Sequence, residues 1–114
     1  MRRDAELELY RMQAEIAKAL ANSVRLRILD QIGGEELAYA SLLPRLGISK
    51  ANLSQHLAVL RKSGIVTVRR EGVGVYYRLT YPEIKGLCTA MRGLLAKHLE
   101  AGGRQAKLLM RRVV

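Results

Sequence analysis

The sequence predicts a mainly α domain in which four helices precede a small β-hairpin and a fifth, long helix follows it. Three observations carry this prediction. Apolar residues recur at three- and four-residue steps through most of the chain. Glycines and Ser or Asn punctuate that pattern between the runs. Between residues 65 and 80 the apolar period changes from 3.6 to 2 around the glycine-rich stretch Glu71-Gly72-Val73-Gly74.

The first helix is expected over about residues 4–21, where Leu9, Met12, Ile16 and Leu20 form one apolar stripe without an intervening Gly or Pro. Asn22-Ser23 punctuates it, and Ser23 is suited to cap a second helix over Val24–Ile32, with Leu26, Ile28 and Leu29 as core candidates. Gly33-Gly34 stops that helix. A third is expected over about Glu36–Leu46, ending at Gly47, with Pro44 disturbing its last turn. The fourth runs from Ser49, a cap candidate, to Ser63-Gly64. The hairpin takes Ile65–Thr80, and after Pro82 the last helix extends to about Ala101. Gly102-Gly103 closes it, leaving a basic tail, 104–114. Residues 1–103 are thus expected to form one domain. A short helix, a glycine turn, a second helix and then a two-stranded ribbon is the order of a winged helix-turn-helix.

The chain has 114 residues, 49% of them apolar, with no Trp or Phe. Its core must therefore rest on Leu, Ile, Val, Ala and Tyr, and small helical domains of this kind often bury more by dimerising. The start, Met1-Arg2-Arg3-Asp4, does not read as a secretion signal, and no apolar run reaches the ~18–20 residues of a membrane span. A single cysteine, Cys88, leaves no intrachain disulfide, and a cytoplasmic protein with no membrane partner is the expectation. No nucleophile or phosphate-loop motif points to an enzyme, and no cofactor is implied.

Net charge is +10 and unevenly placed. Residues 1–44 carry 6 basic and 7 acidic side chains, net −1, whereas residues 45–78 carry 7 and 1, net +6. That middle segment is the one with the ribbon signature, which points to a polyanion partner, double-stranded DNA. On the fourth helix, Leu57 and Leu60 fall within ~40° of Leu53, and the three form the buried face. The opposite face carries Ala51, Gln55, Ala58 and Lys62, flanked by Lys50, Ser54 and Arg61, with Asn52 in the first turn. So narrow and polar a helix fits a major groove ~12 Å wide. Gln55 suits the N6/N7 edge of adenine, Ser54 either kind of base edge, and Lys50, Arg61 and Lys62 suit phosphates. His56, ~60° from the apolar axis, is expected to pack or to contact phosphate rather than read bases. Arg69, Arg70 and Arg78 load the hairpin with charge and are expected to brace it on the DNA backbone or minor groove.

Three linked segments resemble a known family. Lys18-Ala19-Leu20-Ala21-Asn22-Ser23-Val24-Arg25-Leu26-Arg27-Ile28-Leu29 resembles the signature before the helix-turn-helix of the ArsR/SmtB bacterial repressors. Ile48-Ser49-Lys50-Ala51-Asn52-Leu53-Ser54-Gln55-His56-Leu57, with Leu60-Arg61, is similar to that family's recognition helix. Gly64-Ile65-Val66 through Val75-Tyr76-Tyr77-Arg78-Leu79 is similar to its wing. The match covers about residues 15–85. The resemblance implies a homodimer, formed by the first and last helices, that represses an inverted-repeat operator until an inducer releases it.

The last helix supports a subunit seam on its own pattern. Ile84, Leu87, Cys88, Met91, Leu95 and His98 lie within ~60° of one line, a stripe wider than the hairpin alone could cover. With the stripe Leu9, Met12, Ile16 and Leu20 beside it, a two-fold axis would set two reading helices ~34 Å apart.

The family's usual sensing residues are missing. Ala38 and Ala40 stand where its thiolate sensors carry cysteines, and Lys85, Ala96 and Leu99 occupy zinc-sensor positions, so no metal site is expected. Cys88 and His98 remain as candidates for a sensor. They are ~15 Å apart along one helix, so only a pair across the seam could act. The plainer reading makes Cys88 a small buried hydrophobe and His98 an interface residue. A winged helix used as a protein-interaction or RNA-binding module, without operator specificity, is the second reading of the whole pattern.

Overall fold

The computed structural model describes residues 2–103, 108, 109 and 111. Five helices and three strands follow one another: α1 (Arg2–Leu20), α2 (Ser23–Ile32), β1 (Leu37–Ala38), α3 (Tyr39–Leu46), α4 (Lys50–Lys62), β2 (Val66–Glu71), β3 (Gly74–Leu79) and α5 (Glu83–Ala101). The strands form one antiparallel sheet in the order β1-β3-β2. Of the tail expected at 104–114, only Leu108, Leu109 and Arg111 fall among the described residues.

Local chemistry sets most boundaries. Asn22, rather than the expected Ser23, caps α2: its extended backbone lets Oδ1 accept from the amides of Val24 and Arg25 at 2.9 and 3.1 Å. Gly47 ends α3 in the left-handed conformation (φ 65), where a side chain would be strained. Two residues later Ser49 starts α4, its Oγ accepting from the Asn52 amide at 3.1 Å. Pro44 sits inside α3 without ending it. The hairpin turns on Gly72 and Val73, with Gly72 at φ 60.

The third helix does not begin at Glu36 but at Tyr39, because Leu37 and Ala38 pair with Tyr77 and Tyr76 of β3. Two residues are too few to show a period. What makes them a strand is a partner nearly forty residues downstream.

The core gathers Ile28, Leu29 and Ile32 of α2, Leu42 and Leu46 of α3, Leu53, Leu57 and Leu60 of α4, and Ile65 and Val66 at the entry to β2. No polar or charged residue is buried among the described residues. Against this core α2, α3 and α4 leave the outer face of α4 free, which positions the site.

The long end helices are different. α1 buries only Ala19 and Leu20, and α5 buries none of its 19 residues. The described chain measures 51 × 49 × 24 Å, and its radius of gyration of 16.5 Å exceeds the ~13 Å expected of a compact chain of this length. No helix among the described residues is long and apolar enough to cross a membrane.

Candidate nucleic-acid interface

α4 presents the face read from the sequence. Leu53, Leu57 and Leu60 are buried, and Lys50, Ala51, Asn52, Ser54, Gln55, Arg61 and Lys62 are exposed. The Gln55 side chain makes no hydrogen bond among the described residues, so its amide keeps both donor and acceptor available. Ser54 is less free, because its Oγ lies 3.3 Å from the hydroxyl of Tyr39 at the start of α3. That tyrosine, which also donates to the Lys50 carbonyl at 3.5 Å, holds the first turns of α4 against α3.

His56 is half-buried and faces α2. Nη1 of Arg25 donates to His56 Nδ1 at 3.3 Å, while Arg25 Nε donates to the Ala19 carbonyl at 2.6 Å and Nη2 to that of Lys18 at 3.3 Å. One guanidinium thus satisfies the end of α1, where carbonyls lack helical partners, and steadies the reading helix. Arg27 does the same for α3, donating to the Leu46 carbonyl at 3.1 Å. Sequence reasoning missed Arg25 because its partners lie six and thirty-one residues away.

The hairpin arginines are not alike. Strand alternation puts Arg69 and Arg78 on one face with Tyr76, and Arg70 on the other with Val68 and Tyr77. Burial pushes the Tyr77 hydroxyl up, and Arg70 of the hairpin and Arg61 of α4 both oppose that rise. Both arginines are exposed, Arg70 on strand β2, which packs beside α4, and Arg61 on α4 itself. Arg69, by contrast, is occupied. Its Nε and Nη2 bind both carboxylate oxygens of Glu36 at 3.0 and 2.7 Å, its Nη1 binds Glu71, and its guanidinium stacks 4.6 Å from the centre of the Tyr76 ring. The guanidinium holds the Glu36 carboxyl below its usual range, and the two carboxylates raise Arg69 further.

At the ends of the chain the stripes are largely bare. Leu9, Met12 and Ile16 of α1 and Leu87, Met91, Leu95 and His98 of α5 are exposed, Leu9 by 66%. Ile84 and Cys88 are half-buried against the core. Leu20 departs from the expected seam: it is 6% exposed and belongs to the protomer's own core, because α1 turns into α2 at that point. Burial pushes the Cys88 thiol up, away from the reactive thiolate. No group of three or more His, Cys, Asp or Glu residues able to hold a metal is found among the described residues.

Comparison with known proteins decides what this arrangement is. Residues 20–69 match the model of a helix-turn-helix domain family. The chain is 38% identical over 92 residues to the HTH-type transcriptional regulator Rv0081 of Mycobacterium tuberculosis, covering 80% of this chain and 81% of that one. The crystal structure of Rv0081 superposes with a TM-score of 0.75 over 82% of this chain and 94% of its own. The homodimeric winged helix-turn-helix DNA-binding domain Mb0332 of Mycobacterium bovis, a possible ArsR-family regulator, gives 0.78 at 32% identity, covering 89% of this chain and 94% of that one. The chain belongs to the ArsR/SmtB family. This ArsR-type protein is a winged helix-turn-helix, DNA-binding transcriptional regulator, with α3 and α4 as its helix-turn-helix and β2–β3 as its wing. It is also 40% identical over 79 residues to the transcriptional activator HlyU of Vibrio cholerae, covering 69% of this chain and 73% of that one.

Proposed function

We propose that this regulator binds an inverted-repeat operator as a homodimer, with α4 of each protomer in a major groove. Residues 1–103 act as one DNA-binding and dimerisation unit, working in the cytoplasm without enzymatic activity. Gln55 reads base edges, assisted by Asn52 and Ser54 in the first turns beside Ala51. Lys50, Arg61 and Lys62 contact phosphates, and His56 supports the helix from behind. On the wing, Arg70 and Arg78 brace the backbone.

The observation that carries this reading is the exposed polar face of α4, with Lys50, Gln55, Arg61 and Lys62, beside the wing strand β2. For the dimer, the support is the pair of long helices whose apolar stripes the described residues leave largely bare. Mb0332 is a homodimer, and the seam here would take Leu9, Met12 and Ile16 with Leu87, Met91 and Leu95. Cys88 packs at the edge of that seam as a protonated thiol, which supports a packing role over sensing.

Selection of bound duplexes from a random pool tests the reading. It should return an inverted repeat with half-sites about 10 base pairs apart, bound with a log–log salt slope near about −7 if ~8 phosphates are contacted. Gln55→Ala should relax preference at one position per half-site, costing ~1–3 kcal/mol there. Arg70→Ala should weaken all sequences alike and flatten the slope. No enrichment over scrambled duplex would sink operator recognition and favour an RNA- or protein-binding module.

A further inference from the structure

The wing carries three arginines, and charge alone makes them equivalent phosphate contacts. Their surroundings do not. Arg69 spends Nε, Nη1 and Nη2 on two carboxylates, in bidentate geometry towards Glu36. With Glu36 and Glu71 it forms a unit of one positive and two negative charges. That unit, net −1, repels a phosphate rather than attracting it.

Glu36 is not part of the wing. It stands immediately before β1, which leads straight into α3, the first helix of the helix-turn-helix. Across the sheet, Ala38 pairs with Tyr76 and Tyr76 with Arg69, so the guanidinium crosses β3 over the Tyr76 ring to reach Glu36 on the far side. The ring also lies directly over residue 74 at the turn. A Cβ on Gly74 would lie 2.7 Å from Tyr76 Cε2 and 2.8 Å from its hydroxyl, so the ring takes this position only because residue 74 has no side chain.

We infer that Arg69 is the positioning residue of the wing: clamped over Tyr76 by Glu36, it ties the hairpin to the helix-turn-helix and sets the angle at which Arg70 and Arg78 meet DNA. The inference rests on the DNA-binding reading above. It makes Glu36, an acid, a residue that strengthens binding to a polyanion. Direct contact by Arg69 requires the opposite, since removing a neighbouring negative charge would then favour the complex.

The test uses the full chain and a duplex taken from the selection. Wild type, Glu36→Gln, Arg69→Gln, the double Gln variant and the exchange Glu36→Arg with Arg69→Glu are compared by salt-dependent binding. Each single variant should bind about fivefold more weakly with an unchanged log–log salt slope. The double Gln variant should be no worse than either single one, and the exchange, which sets an acid beside Glu71 and uncovers the Tyr76 ring, should recover only part of the loss. Gly74→Ala, which crowds the ring, should weaken binding to a similar degree. Thermal midpoints should stay within about 2 °C of wild type, because the cluster is exposed. The proposal is overturned if Glu36→Gln binds as well as or better than wild type, or if Arg69→Gln lowers the slope by about one, the mark of a lost phosphate contact. A wild-type protein that binds no duplex selectively would instead defeat the DNA-binding reading, and that outcome is visible before any variant is compared.

Discussion

The middle of this chain and its two ends solve the burial problem in different ways. From Ser23 to Leu79 apolar residues converge on one core, and Ile28, Leu42, Leu53, Leu57 and Leu60 are almost wholly enclosed. α1 and α5 each run 19 residues, yet between them they bury only Ala19 and Leu20. The middle is complete as a folded object, whereas the ends present stripes that the other described residues leave largely uncovered, a surface suited to a second chain. The lesson is about division of labour: the region that meets DNA is finished within one protomer, and the spacing between two such regions is left to the arms.

If that contrast is right, the two regions should fail differently. The largest effect is expected in the middle. Leu53→Ala should destabilise by about 3 kcal/mol or more, through lost burial and a residual cavity, and chemical denaturation should show that loss at every protein concentration. Leu95→Glu on α5 should leave the circular dichroism of the protomer intact, abolish the concentration dependence of its thermal midpoint, and lower affinity for an inverted repeat by about 100-fold as two linked half-sites become independent. A Leu95→Glu variant that unfolds outright would show that the arm belongs to the protomer core after all.

Smaller changes probe the joint between the regions. Arg25→Ala removes the donor shared by the ends of α1 and His56 of α4, and should cost about 1–2 kcal/mol of stability. Arg25→Lys, which keeps the charge but not the fork, should recover little of it. The smallest effect concerns acid. The Glu36 carboxyl is held low by Arg69 and, less strongly, by Arg78. A carboxylate lowered on folding stabilises the folded form above its ordinary range and loses that contribution as pH falls through the lowered value. Wing order, followed by amide exchange at β1 and β3, should therefore persist through mild acid and weaken only below it. Glu36→Gln should remove that dependence.

Most of the reading face was legible in the sequence because its determinants are local. Leu53, Leu57 and Leu60 repeat at helical spacing, Ser49 lies where a cap belongs, and the residues between them had nowhere to point but outward. What escaped reading depends on distance. β1 exists only through its pairing with Tyr76 and Tyr77, and neither Leu37 nor Ala38 signals a strand. Arg69 looked like one more wing cation until Glu36, thirty-three residues earlier, was placed on its guanidinium. Leu20 shares its period with Ile16 and Met12, and the pattern alone does not say at which residue the stripe leaves the seam and enters the core. Asn22 and Ser23 are both capping residues, and backbone conformation, not composition, chose between them.

The central claim is that two protomers, joined through α1 and α5, present two α4 helices to one operator. Sedimentation of the full chain, alone and on a selected duplex, tests it most directly. A dimer in solution is expected, and two chains per duplex bound without an intermediate of one. A monomer that saturates the same duplex one chain at a time, with no linkage between half-sites, would contradict it.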